Sequence, residues 1–346
     1  MAKRTRGMKP IGELLKPIMH GLTVTPIQQR LVNAASADIE RPDSRSILYQ
    51  HSVFCQAFFP YRDPGDDTTT WDRSNGLVDL RLKVGEAKHP SGHWVQVPLP
   101  FGPKCRLVLM HINQLAVVKQ SPHVELEDSL TAFVRRTLKL DPKGRNIAMV
   151  KDQLRRLATS SIRLGIVAPD GTSAGTRKLD IVTEFDVWFV KDERQRVFWP
   201  SYIDLSPDYF GSLQQHAVPL DENHIAALSH SGLALDVYVW LAQRLHRIAP
   251  SKPVFVSWAA LHSQFGQGYN REHMTKFRQV FRAALKQVLT LYQLARITED
   301  ERRQPQLFMQ EKGGAVWRQP PAKGITLHHS PPPVSPRSHA LGCGKP

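Results

Sequence analysis

Arg271, Thr275, Arg278, Arg282 and Lys286 recur at intervals of three or four in the stretch "NREHMTKFRQVFRAALKQVL". Spacing close to the helical period of 3.6 gathers these side chains on one stripe. Guanidinium forks and an ammonium group in such a stripe can clamp phosphates or bridge guanine O6 and N7. On the adjoining side of the same helix fall Phe277, Phe281, Ala284 and Val288, with Leu285 beside them, while Lys276 points elsewhere. Residues 257–290 hold five basic side chains and one acid, Glu272, so few local carboxylates are available to pair the arginines. The chemistry on offer is recognition of a polyanion. A basic stripe on an amphipathic helix can equally be a solvated face, so the surrounding elements decide its meaning.

Bond-making chemistry finds no comparable support. "GCGKP" at 342–346 resembles the end of a phosphate loop but lacks the Ser/Thr after the lysine and the strand and helix that flank such a loop. His89 with His93, and His328 with His329, have metal-like spacing inside Gly/Pro/Ser-rich loops without a nearby third ligand. A nicking enzyme would need a tyrosine nucleophile and two histidines separated by one apolar residue, and no such triplet occurs. Asp66 and Asp67 belong to a turn, whereas Glu125, Glu127 and Asp128 precede a helix, where acids complement the dipole. Trp188, Trp240 and Trp258 sit on apolar faces and are expected in the core. No enzyme activity, metal or cofactor is therefore expected.

The basic helix has an ordered neighbourhood. Ser257 is placed to cap a short helix whose Trp258, Leu261 and Phe265 share a side, and Gly266 is placed to end it. Asn270 is the expected cap of the basic helix. Beyond it, "LYQLARIT" and "QLFMQEKGGAVW" read as strands joined by "EDERRQPQ". Short helix, tight turn, longer basic helix and hairpin is the order in which helix-turn-helix proteins present a recognition helix.

An earlier segment has a similar plan. Leu107, Met110, Leu115 and Val118 predict one helix; Leu130, Phe133, Val134 and Leu138 a second; Ile147, Val150, Leu154 and Leu157 a third. Two alternating runs follow, Ile162–Ile166 and Ile181–Phe189, joined by "APDGTSAGTRKLD". Arg145, Arg155 and Arg156 on the third helix, and Arg177 and Lys178 near the hairpin tip, are candidate phosphate contacts. The predicted class is α+β: two tandem winged-helix domains, 46–198 with a strand-rich lead-in and 199–318 as the DNA-reading domain. A flexible basic arm, 1–45, precedes them, with five basic residues against one acid in its first twenty. A disordered tail, 319–346, follows, with seven prolines and no acid.

Composition bounds the partner. The 346 residues carry 46 basic against 31 acidic side chains, a net charge of +15, which favours a polyanion. The best membrane-like run, "GLALDVYVWLAQRL", is broken by Asp236, so no membrane association is expected. The basic start is interrupted by Pro10, Glu13, Lys16 and Pro17 where a signal peptide needs an apolar run, so the expected location is cytoplasmic. Cys55, Cys105 and Cys343 are too far apart for a disulfide framework or a CxxC clip, which fits a reducing compartment.

Several ordered blocks, "VPLPFGPKCRLVLMHINQLAVVKQSPHVELEDSLTAFVRRTLKL", "FWPSYIDLSPDYFGSLQQHAVPLD", "SGLALDVYVWLAQRLHRI" and "VSWAALHSQFG", resemble the plasmid-encoded RepA replication initiators over residues 95–317. The resemblance implies a tandem winged-helix protein that binds repeated double-stranded sites at a plasmid origin and promotes duplex opening. It also implies recruitment of host replication initiator and helicase proteins, repression of its own gene, and a homodimer in equilibrium with monomer. The helix from Arg271 to Lys286 is its candidate reader of the repeats. A transcriptional repressor with the same fold and no replication role is the alternative.

Overall fold

The computed structural model describes residues 24–40, 46–75, 78–89, 91–167, 174–184, 202–245, 247, 254–292, 295–300 and 306–311. These lie in one compact unit, Met1–Lys312. The tail 319–346 and the start of the arm lie outside the described residues, as do 168–173 of the "APDGTSAGTRKLD" loop and residues 185–201.

Helix α1 (Pro26–Glu40) comes first. Strands β1 (Ile47–His51), β2 (Thr70–Ser74), β3 (Val78–Lys83), β4 (Gly85–Lys88) and β5 (Trp94–Val97) lead to helix α2 (Gly102–Lys119). Strand β6 (His123–Glu125) precedes a turn of helix, Leu130–Ala132, that widens into a π-helical turn, Phe133–Thr137. Helix α3 (Gly144–Thr159) then feeds β7 (Ser161–Val167), β8 (Ala174–Lys178) and β9 (Val182–Glu184). The remainder is β10 (Tyr202–Leu205), α4 (Pro207–His216), β11 (Ala217–Asp221), α5 (Glu222–Leu228), α6 (Gly232–Leu245), β12 (Val254–Ser257), α7 (Trp258–Phe265), α8 (Met274–Leu291), β13 (Ala295–Asp300) and β14 (Gln306–Glu311). Small antiparallel sheets, β1-β11, β2-β3-β7-β8, β4-β5, β6-β10-β9 and β12-β14-β13, complete a mixed α and β architecture.

Residues 26–40 correct the expected arm. Thr25 Oγ1 accepts from the Gln28 amide and the Thr25 amide donates to Gln28 Oε1, a reciprocal capping box with Pro26 at the first helical position. Leu31, Ala34 and Ala35, spaced for one face, are buried, and α1 packs against α5 and α8. Apolar spacing, not the basic composition upstream, governs this segment.

The β7 hairpin also differs from expectation. Alternation puts Leu80 and Leu82 of β3 on the buried side, opposite Leu164 and Ile162 of β7. The other edge of β7 pairs with β8, inside the expected loop, and the run from Ile181 turns away so that β9 pairs with β10. An open strand edge with unpaired amides takes the nearest extended segment, here a polar one.

Helix α2 is the centre of the core. Every residue from Cys105 to Asn113 is buried, as expected of a helix covered on all sides, and it touches β1, β6, α3 and α6. Val118, expected on the apolar face, is 63% exposed because the helix has by then left the core. Within that core Arg106 forms a bidentate pair with Asp236 of α6 at 2.7 Å for each arm.

Two buried histidines make stability depend on pH. His51 accepts from the Val53 amide at Nδ1 and lies 3.0 Å from Ser212 Oγ at Nε2, a pattern that needs a neutral ring. Burial, with His216 nearby, lowers its pKa to about 4; burial lowers that of His111 to about 4 as well. Both folded-state values lie below the unfolded value, so the unfolded chain binds more protons between about pH 6.5 and 4. Stability is expected to fall as the pH drops through that window. Urea midpoints at pH 7, 5.5 and 4.5 check this, and a midpoint independent of pH would reject it.

Candidate nucleic-acid interface

The candidate surface begins at Ser257, whose side chain accepts from the Ala260 amide at 3.2 Å and starts α7. Gly266 ends that helix, its amide donating to His262 O at 2.7 Å. Its φ is an ordinary −79°. Glycine is required there by crowding, since a Cβ would lie 2.5 Å from His262 O. Asn270, expected to cap α8, instead accepts from the Glu272 amide in a local turn, and α8 starts at Met274 with His273 as its cap residue.

Phe277, Phe281, Ala284, Leu285 and Val288 are buried as the periodicity predicts. Trp258 meets Phe281 edge-to-face at 5.7 Å and Phe277 at 6.2 Å, a favoured geometry for aromatic pairs. Arg271, Thr275, Arg282 and Lys286 are exposed, and Arg278 is half-buried. The guanidiniums of Arg278 and Arg282 lie 5.6 and 5.3 Å from the Trp258 ring centroid, within cation–π range. Arg271 Nη2 donates to Ser263 Oγ at 2.6 Å. Among the described residues, no carboxylate pairs with Arg271, Arg278 or Lys286. Trp258, 2% exposed, is core as expected. Its second role as a platform for two arginines lies beyond local pattern, because twenty and more residues separate the partners.

Following α8 in the chain, β13 and β14 pair from Ala295↔Glu311 to Asp300↔Gln306, and β12 adds to the other edge of β14. The tip of that hairpin, 301–305, lies outside the described residues.

The earlier candidates divide. Arg145 is exposed at the start of α3. Arg155 is half-buried and donates to Asp152 at 3.2 Å. Arg156 is corrected to a structural residue: it is 8% exposed, donates to Asp152 at 2.7 Å and to Leu99 O at 3.1 Å, and lies over the Phe101 ring. Lys178 is exposed and pairs with Asp180 at 2.8 Å. Arg177 belongs to β8, but its side chain lies outside the described residues.

Two other clusters bear on the histidines. His89 and His93 stack at 4.7 Å and both bond to Ser91 Oγ. Asp38, Asp221 and His224, which the sequence keeps far apart, bring their ligand atoms within 4.8 Å of one another. His224 there bonds Asp38 at 2.6 Å through Nε2 and Tyr238 at 3.1 Å through Nδ1, while Asp221 caps α5. These bonds pin α1 to α5.

Residues 99–259 match the family model for the plasmid-encoded RepA protein. The match is shorter than the 95–317 resemblance, and it takes in α2, α6 and Trp258 but stops before α8. Among solved structures, a selenomethionine crystal structure of domains 2 and 3 of RctB is 10% identical over 75% of this chain and 97% of its own, with a TM-score of 0.44. A second structure of RctB domains 2 and 3 is 10% identical over 72% and 93%, with a TM-score of 0.41. No curated protein matches the chain. No helix among the described residues is long and apolar enough to cross a membrane.

Proposed function

We propose that this chain, which carries the plasmid-encoded RepA segment at 99–259, is a non-enzymatic plasmid replication initiator that binds repeated duplex sites at its origin. The observation carrying the proposal is the two-sided α8: phenylalanines hold it to the core while Thr275, Arg282 and Lys286 face solvent, with Arg271 exposed in the turn before it. With α7, the turn and the β13–β14 hairpin, this order is that of a winged helix, which places its second helix in the major groove. The net charge of +15 adds long-range attraction to phosphates. Duplex opening, recruitment of host initiator and helicase proteins, autorepression, a monomer–dimer equilibrium and a cytoplasmic location belong to the same reading.

A plasmid bearing the cognate origin is expected to be maintained only when this protein is supplied. Maintenance without it would reject the replication role, and operator binding with that result would favour the repressor. Arg282→Ala is expected to weaken specific binding by about 1–3 kcal/mol and to relax the sequence preference at one base pair. Titration against cognate and singly altered duplexes at fixed salt checks this; a loss equal on all duplexes would make Arg282 a phosphate contact.

A further inference from the structure

We propose that the cleft between α7 and the first turn of α8 is a binding notch for one phosphate of a sugar–phosphate chain. It measures about 470 Å³, and its walls include Trp258, His262, Ser263, Arg271, Met274 and Arg278. Two guanidiniums therefore border one opening. Arg271 is oriented by Ser263 Oγ, and Arg278 by the Trp258 ring, with its Nε buried and lacking a partner. His262, 6% exposed, commits Nε2 to Tyr269 O at 2.9 Å, and its Nδ1 also lacks a partner. A buried donor without an acceptor costs free energy unless something outside the protein completes it, and an anion seated between the guanidiniums would complete Arg278. Because Nε2 donates to a carbonyl, Nδ1 of the neutral ring is an acceptor, which leaves the anion to the two guanidiniums. The first turn of α8 adds attraction, since His273 makes no side-chain cap there, and a helix N-terminus favours negative charge. The indole, Met274 and Ala260 provide an apolar wall suited to a deoxyribose.

The inference rests on the reading of α8 as the DNA-facing helix, and the phosphate could come from a duplex or from solution. The full chain is titrated with origin duplex over a range of salt, and the wild type is compared with Arg271→Gln and Arg278→Gln. Each variant is expected to lower the slope of log K against log salt by about 0.9, the signature of one lost phosphate contact. A duplex with a single neutral methylphosphonate at the contacted position is expected to bind the wild type more weakly without further weakening Arg278→Gln. In a second arm, inorganic phosphate is compared with chloride at equal ionic strength. It is expected to raise the melting temperature of the wild type but not of Arg271→Gln, whose exposed position leaves folding intact. Wild-type slopes in both variants, with duplex binding preserved, would overturn the notch and leave the α8 reading standing. Absence of duplex binding by the wild type would overturn that reading. Stabilisation by phosphate that Arg271→Gln loses would then uphold the notch as a site for free phosphate, and its absence would overturn the notch too.

Discussion

Arg106→Met is expected to destabilise the compact unit by about 3–5 kcal/mol, because it strands a buried carboxylate. The two side chains of the pair are 2% and 3% exposed. Arg106 Nε and Nη2 each donate to Asp236 at 2.7 Å. Nη2 also donates to Phe59 O and Nη1 to Gly102 O, both at 2.7 Å, with Pro60 O at 3.3 Å. One guanidinium thus satisfies a charge and three carbonyls contributed by the segment before α2, by α2 itself and by α6. Methionine has similar bulk and no donors, so Asp236 and Phe59 O would lose these bonds, while Pro60 O keeps the Gly102 amide at 2.9 Å and Gly102 O keeps Cys105 Sγ at 3.1 Å. The loss measures the penalty of an unpaired charge rather than the worth of the pair. For that reason Arg106→Met combined with Asp236→Leu is expected to recover much of the stability, a non-additivity that a double-mutant cycle reads directly. Urea midpoints of the four proteins supply the measurement. A single variant within about 0.5 kcal/mol of wild type, the range of ordinary surface changes, would mean that water reaches this pair.

The same pair shows where sequence reading stops. Asp236 in "GLALDVYVWLAQRL" stands out as a charge in an apolar run, and Arg106 stands out likewise in "CRLVLMH". That each needs a partner is legible, because isolated charges are not buried. That they are partners of each other is not, across 130 residues of separation. Local signals fared better. The Ser257 cap and the buried stripe of α8 follow from hydrogen bonds and periodicity confined to a few residues. Arg156 and Arg282 both lie on amphipathic helices, yet only Arg156 has an acid four residues earlier, and Asp152 claims it. Strand β8 could not be read from "AGTRK", which lacks alternation, because the exposed edge of β7 selects it. In α1, by contrast, the capping box and the Leu31, Ala34 and Ala35 spacing are legible in the sequence, and they outweigh the basic composition upstream.

Phe281→Ala is expected to cost about 3–5 kcal/mol, the usual range for deleting a buried aromatic ring, whereas Arg282→Ala one position along is expected to change stability by no more than about 0.5 kcal/mol. Phe281 is fully buried and meets Trp258 at 5.7 Å, Phe265 at 5.3 Å and Phe277 at 5.7 Å. Removing it opens a cavity beneath Trp258, the ring on which Arg278 and Arg282 rest. Loss of packing at Phe281 should therefore reach the cationic face. Duplex affinity of Phe281→Ala is expected to fall even at a temperature where circular dichroism shows it folded. Phe281→Leu, which refills most of the space and typically costs less than about 1.5 kcal/mol, should restore much of it. Unchanged affinity in a folded Phe281→Ala would show that the arginines take their positions from solvent and DNA alone, and the indole would then have no part in presenting them.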